Sequence, residues 1–295
     1  MNIKYILMII SYKMIIIKFF TSFGTNEGCI EAYTRVSELA KDPLFNVKYK
    51  FTLGEDYTHA IILNTAMPAL TIPKENVIGL AFEPLEFLNL TKNFEAYAKK
   101  HIGNYLLGEK KNLSSPPFVE HFSYMWHTTP LNELPLKTKP ISLMISIKNY
   151  TSGHKYRHIL CQAILSSNLP IDIYGNGCKY YSNIKDRRLK GEFQTKEPYL
   201  DYQFHIAIEN VQSPHYFSEK IMDALICQTT PIYLGCQNID VYFPDSIIHL
   251  SGNLQKDMQL LTNICNNPTQ YIKTIDVEKV KAKISFTNIV ETYFL

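Results

Sequence analysis

The 295-residue chain carries 30 basic and 27 acidic side chains, a formal charge of +3, and is 46% hydrophobic. That composition excludes a disordered solvating chain, leaves room for one large or two ordinary domains, and gives no electrostatic footprint for nucleic acid. Its six cysteines form no C-x-x-C pair and no Cys/His group with zinc spacing, so they read as free thiols of a cytoplasmic protein.

The N-terminus is apolar but broken by Lys4, Lys13 and Lys18, and its longest uncharged run, Tyr5 to Tyr12, is too short to span a bilayer. No firm membrane span follows, and a Golgi-type anchor is not expected. Met14 to Phe20 reads as the first strand, with residues 1–13 as an extension.

From there helical and strand patterns alternate. EGCIEAYTRVSELA places Cys29, Ile30, Tyr33 and Val36 near one helix face. FNVKYKFTL alternates like a strand, and THAIILN and VIGLAFEP are short buried strands. FLNLTKNFEAYAKKH reads as one helix and NYLLG as a strand. Residues 111–140 are rich in proline and read as loop, with a linker near Thr138 to Pro140. His121, Trp126 and His127 lie in it, fitted either to an acceptor site or to interdomain packing.

The second half repeats the style. ISLMISIK is a strand, and HKYRHILCQAILSS is an amphipathic helix with Ile159, Leu160, Ala163 and Ile164 turned inward. PIDIYGNG runs into a glycine turn at Gly175 and Gly177. The basic run KDRRLK, residues 185–190, reads as a solvated loop. SIIHL and two helical segments close the chain. Strands separated by helices imply parallel sheets, divided here into residues 1–138 and 139–295.

The stretch from Phe204 to Gly235 is the most informative. FHIAI is a buried strand, followed by a loop with Glu209, Asn210, His215 and Tyr216. Ser218 is an N-cap candidate for EKIMDALICQ, and TPIYLG is a second buried strand. Glu219 and Lys220 fall in the first helical turn, at the carboxyl edge of a parallel sheet. A helix N-terminus favours phosphate, Lys220 adds charge, and a carboxylate there suits a ribose diol. An ordinary solvated Glu-Lys pair is the bland alternative.

The spacing of Glu209-Asn210, Tyr216, Glu219-Lys220 and then P-I-Y-L-G resembles the donor-site signature of glycosyltransferase family 10. These are the α-1,3/1,4-fucosyltransferases, and the likeness suggests a soluble member of viral or bacterial type, in host cytoplasm if viral. The wider likeness covers roughly residues 140 to 250. It implies a GT-B-like α/β fold, two Rossmann-like domains with parallel sheets facing a cleft.

It also implies an inverting enzyme that takes fucose from GDP-fucose to a hydroxyl of a glycan acceptor. Glu83, at the end of GLAFEP, would be general base, with Glu86 as rival. Arg157, Asn210, Tyr216, Glu219, Lys220 and Gly175 would bind the donor, and Glu209 and Ser218 would support them. Glu83-Pro84 lacks the residue that usually separates the family's glutamate from its proline, and serine stands at 218 where threonine is frequent. With no D-x-D tripeptide in the chain, no metal and no further cofactor are expected. Two alternatives stay open: a family member using another nucleotide sugar, and an inactive glycan- or nucleotide-binding module.

Overall fold

The computed structural model describes residues 14–295; the expected extension, residues 1–13, lies outside them. The first half contains β1 (Ile15–Thr21), α1 (Asn26–Leu39), β2 (Tyr49–Phe51), β3 (His59–Leu63) and β4 (Val77–Leu80). It continues with α2 (Leu85–Leu88), α3 (Lys92–His101), β5 (Asn104–Leu107) and β6 (Phe118–Glu120). Its six strands form one parallel sheet in the order β2-β1-β3-β4-β5-β6.

The second half contains β7 (Lys139–Met144), α4 (Ser152–Leu165), β8 (Ile171–Tyr174), β9 (Leu189–Gly191) and α5 (Glu197–Leu200). Then come β10 (Tyr202–Ile208), α6 (Glu219–Ile226), β11 (Thr230–Leu234), β12 (Ile248–His249), α7 (Leu254–Asn266), α8 (Val277–Ile284) and α9 (Thr287–Ile289). The strands make a second parallel sheet, ordered β12-β11-β10-β7-β8-β9. The chain starts this sheet in its middle at β7, adds β8 and β9 on one side, then crosses over to add β10 to β12 on the other. The carboxyl ends of β7 and β10 therefore flank a topological switch point, where doubly wound sheets open a crevice.

Continuous apolar runs build these strands because both sheet faces are covered. Ile206 of β10 pairs with Leu143 of β7 and Ile232 of β11, and all three are buried. One core is shared between the halves: Phe19, Tyr33 and Leu80 pack in a single cluster with Phe217, Ile221 and Leu225 around α6. The last helices, α8 and α9, return to this cluster through Val280, Ile284, Phe286 and Ile289. Among the described residues, no helix is long and apolar enough to cross a membrane, and all six cysteines are free.

Several expectations need correction. The 87–101 stretch is not one helix but the end of α2 followed by α3, because Asn89 adopts a left-handed φ of 49° and Thr91 starts α3 as its N-cap. The proline-rich segment hides β6, which completes the first sheet. The 45–53 strand shrinks to β2. On α4, Ile159 is 45% exposed, while Arg157, Leu160, Cys161 and Ile164 form the buried stripe. The KDRRLK run is not simply a solvated loop. Arg188 donates to the carbonyls of Ile164, Leu165, Ser167 and Leu169, satisfying the end of α4.

Candidate active site in the interdomain cleft

At the switch point Glu209 follows β10 and is 1% exposed. Burying a carboxylate requires partners, and Ser218 supplies two. Its backbone N–H donates to Oε1 at 2.8 Å and its hydroxyl to Oε2 at 2.6 Å. The same hydroxyl oxygen accepts from the Lys220 backbone N–H at the start of α6, at 3.4 Å. Ser218 thus fastens the helix start to the strand end.

Lys220 is held in that frame. Its Nζ lies 2.9 Å from Glu219 Oε1, 2.9 Å from Ser218 Oγ and 3.6 Å from Glu209 Oε2. Burial disfavours the ammonium, but the two glutamates outweigh it and raise the Lys220 pKa. Burial likewise pushes Glu219 up, and Lys220 reverses the sign and holds it low. Glu209 moves the other way, with burial raising its pKa against Lys220 and the Ser218 bonds. The cluster keeps a fixed cation beside the Glu219 carboxylate.

Arg157 arrives from the buried face of α4 and is 6% exposed. Its Nη2 donates to Asn210 Oδ1 at 2.7 Å. α4 approaches this loop closely at Gly153, where a Cβ would stand 1.8 Å from the Glu209 carbonyl oxygen, so glycine permits the contact. Tyr216 is buried beside the Asn210 loop, next to Gly108 of the first half. Gly175 has a φ of +99°, and a Cβ there would meet the Ile145 carbonyl oxygen at 2.3 Å. Gly175, Phe193, Arg157, Glu219 and Lys220 line one cavity of about 280 Å³ at the ends of β7, β8 and β10.

Glu83 stands just beyond β4, at the carboxyl edge of the first sheet. It is half-buried and, among the described residues, makes no hydrogen bond or ion pair. Burial raises its pKa, while Lys220 and then Lys148 oppose the rise; Glu219 and Glu209 reinforce it. Glu83 therefore lies within electrostatic reach of Lys220, Glu219 and Glu209. Glu86 lies on the exposed start of α2, 3.8 Å from Lys111.

Of the residues singled out in the sequence, Arg157, Gly175, Glu219 and Lys220 line this cavity, Glu209, Ser218 and Asn210 bond to them, and Glu83 and Tyr216 lie within electrostatic reach of the same cluster. Three neighbours were not foreseen. Phe193 and Lys148 carried no pattern. Asp223 had a signal, a carboxylate set within the apolar part IMDALI of the helix.

Two facing parallel α/β sheets with a cationic pocket at the second switch point make this a GT-B fold of the kind found in glycosyltransferases. Residues 134–287, just over half of the chain, match the family model described as glycosyltransferase family 10 (fucosyltransferase) C-term. The chain belongs to that family.

Among its relatives, a putative fucosyltransferase-like protein of Arabidopsis thaliana is 26% identical over 168 residues, covering 56% of this chain and 31% of that protein. Alpha-(1,3)-fucosyltransferase B of Drosophila melanogaster is 26% identical over 199 residues, covering 54% and 44%. The chain spans less than half the length of these relatives. In fold it resembles the crystal structure of an alpha1,3-fucosyltransferase, with a TM-score of 0.54 at 16% identity over 95% of this chain and 91% of that one. It also resembles Anabaena HepE in complex with UDP, with a TM-score of 0.60 at 11% identity over 95% and 98%.

Proposed function

We propose that this chain transfers fucose from GDP-β-L-fucose to a hydroxyl of a glycan acceptor, inverting the anomeric centre. The observation that carries the reading is Glu83, a half-buried carboxylate at the carboxyl edge of the first sheet within electrostatic reach of the Lys220–Glu219–Glu209 cluster. A base on one wall and a diphosphate clamp on the other is what a direct displacement needs. Family membership and the fold shared with an alpha1,3-fucosyltransferase solved with GDP-fucose support the choice of donor.

Glu83 takes the proton of the acceptor hydroxyl as its oxygen bonds to the anomeric carbon. The bond from that carbon to the β-phosphate oxygen breaks, and GDP departs with the electron pair. The transition state has oxocarbenium character. Lys220 and Arg157 meet the charge developing on the diphosphate. Asn210 orients Arg157, Glu219 accepts from the ribose hydroxyls, and Tyr216 and Gly175 shape the pocket. Glu209 and Ser218 hold the clamp in place. With two cations already at the diphosphate, the reaction needs no metal.

Nucleotide binding tests this reading. GDP should raise the melting temperature more than UDP does, contributing roughly 2.7 kcal/mol at about a hundred times its Kd. Fucose transfer should persist in EDTA. Equal shifts from both nucleotides, or a metal-reversible loss of transfer, would contradict it.

A further inference from the structure

The connector between β6 and β7 is stitched to the second half of the chain by three polar side chains. The Thr128 backbone N–H donates to Asp223 Oδ1 on α6 at 2.6 Å. Lys196 Nζ, just before α5, donates to Thr129 Oγ1 at 2.8 Å. Lys137 Nζ donates to the Tyr199 and Cys227 carbonyls, each at 2.9 Å, and to Thr229 Oγ1 at 2.8 Å. Leu131 packs against Tyr199, Ala224 and Cys227 in the same region.

Of these ties, Asp223 shares a helix with Glu219 and Lys220. It lies one turn beyond Glu219, on the same helix face, and is 9% exposed. Burial lifts its pKa to about 7; the Thr128 N–H opposes the rise, Glu219 reinforces it, and Lys220 and Lys196 oppose it. A carboxylate buried there stabilises the fold less than an apolar side chain would. What it supplies is direction. Apolar packing is non-directional and tolerates slip, whereas a hydrogen bond fixes an orientation.

The connector is anchored at its other end to the first half. Two residues before Thr128, Trp126 packs edge-on against Phe82 with ring centroids 5.6 Å apart, and its centroid lies 6.0 Å from that of Phe23 and 6.3 Å from that of Tyr33. Phe82 is held to the first sheet by its backbone N–H, which donates to Asn64 Oδ1 at 2.8 Å, and the next residue is Glu83. A short chain of contacts thus runs from Glu83 through Phe82, Trp126 and Thr128 to Asp223, and back along α6 to Lys220.

We propose that Asp223 is a positioning residue, which holds Thr128 and thereby sets where the Glu83 carboxylate stands relative to Lys220. The proposal rests on the transferase reading above and gives Asp223 a role through the base rather than on either substrate. A misplacement of about 1 Å between reacting groups lowers a rate on the order of a hundredfold, so one directional bond is enough to matter.

Transfer kinetics and GDP affinity are measured on the full chain carrying Asp223→Ala, Asp223→Asn, Asp223→Glu, Glu83→Gln, and Asp223→Ala together with Glu83→Gln. Asp223→Ala should lower kcat roughly tenfold to a hundredfold, with the KM for GDP-fucose and the GDP affinity close to those of the unaltered chain. Asp223→Asn keeps an oxygen for the Thr128 N–H and should recover most of that loss. Asp223→Glu keeps the acceptor and its charge but moves them by one methylene, so it should fold and still lose turnover. In the double variant Asp223→Ala should lower kcat little beyond Glu83→Gln alone, because a residue that acts through the base then has nothing left to place. Trp126 is the chain's only tryptophan and gives a readout without turnover: Asp223→Ala should shift its emission, and Asp223→Asn should not.

Losses that multiply in the double variant would show that Asp223 acts apart from Glu83 and overturn the proposal. So would normal kcat in Asp223→Glu, a raised KM or weakened GDP binding with kcat held, or a Trp126 emission that Asp223→Ala leaves unmoved. Failure of the unaltered chain to bind GDP would count against the transferase reading itself, whereas intact GDP binding with multiplying losses counts against Asp223 alone.

Discussion

Arg157 Nη2 donates to Asn210 Oδ1 at 2.7 Å, a bond that ties α4 to the loop after β10. It spends one arm of the guanidinium on aim and leaves the charge for the ligand. Arg157→Lys should therefore weaken GDP binding about tenfold or more, because a flexible point charge cannot keep that geometry. Asn210→Ala should cost less, since the charge remains and only its orientation is lost. Calorimetric titration with GDP ranks the two, and the opposite ranking would show that Asn210 contacts the nucleotide more than Arg157 does.

In the proposed reaction Lys220 is the fixed charge of the diphosphate clamp. Lys220→Ala should reduce both GDP affinity and turnover, and it leaves the buried Glu209 without its cation, so the melting temperature should also fall. Lys220→Arg should recover only part of each, since a planar fork does not fit between Ser218 Oγ and Glu219 Oε1. Full recovery would mean that charge alone matters there.

The pH dependence has a defined sign. Burial lifts the Glu83 pKa, and Lys220 and Lys148 pull it down. A general base works ionised, so kcat/KM should fall as pH drops through a value above the ordinary glutamate range. Lys148 is exposed. Lys148→Ala removes one of the opposing cations and should move the acid limb to higher pH. High salt should shrink that difference, because an exposed charge is screened. A limb that moves down instead would exclude Glu83 as its origin.

Much of this was legible because the chemistry lies on strong local patterns. The run Phe204 to Gly235 announces two buried strands and a capped helix, and its polar residues fall in the loop and first turn between them. Arg157 was harder to read. Sequence alone could not separate a surface arginine from one on the buried stripe of α4, and Ile159 was assigned inward although it faces solvent. The order of strands decides that matter, because β8 and β10 both pack beside β7 and leave α4 one face to bury.

Features set by distant contacts were not legible. β6 forms only because β5 offers it an edge, in a segment whose prolines argue for loop. Arg188 looked solvated within its basic run, yet it finds four carbonyls from residues 19 to 24 positions earlier. The return of α8 and α9 to the first sheet follows from a core shared by both halves, which no single amphipathic pattern reveals.

The central claim is that Glu83 deprotonates the acceptor while the opposite wall holds GDP-fucose. The most direct measurement is fucose transfer to a panel of acceptor glycans by Glu83→Gln, with GDP affinity measured on the same protein. The account predicts turnover lower by roughly a hundredfold to ten-thousandfold, GDP affinity close to that of the unaltered chain, and Glu86→Gln nearly unchanged. Near-normal transfer by Glu83→Gln, with or without loss in Glu86→Gln, would contradict it.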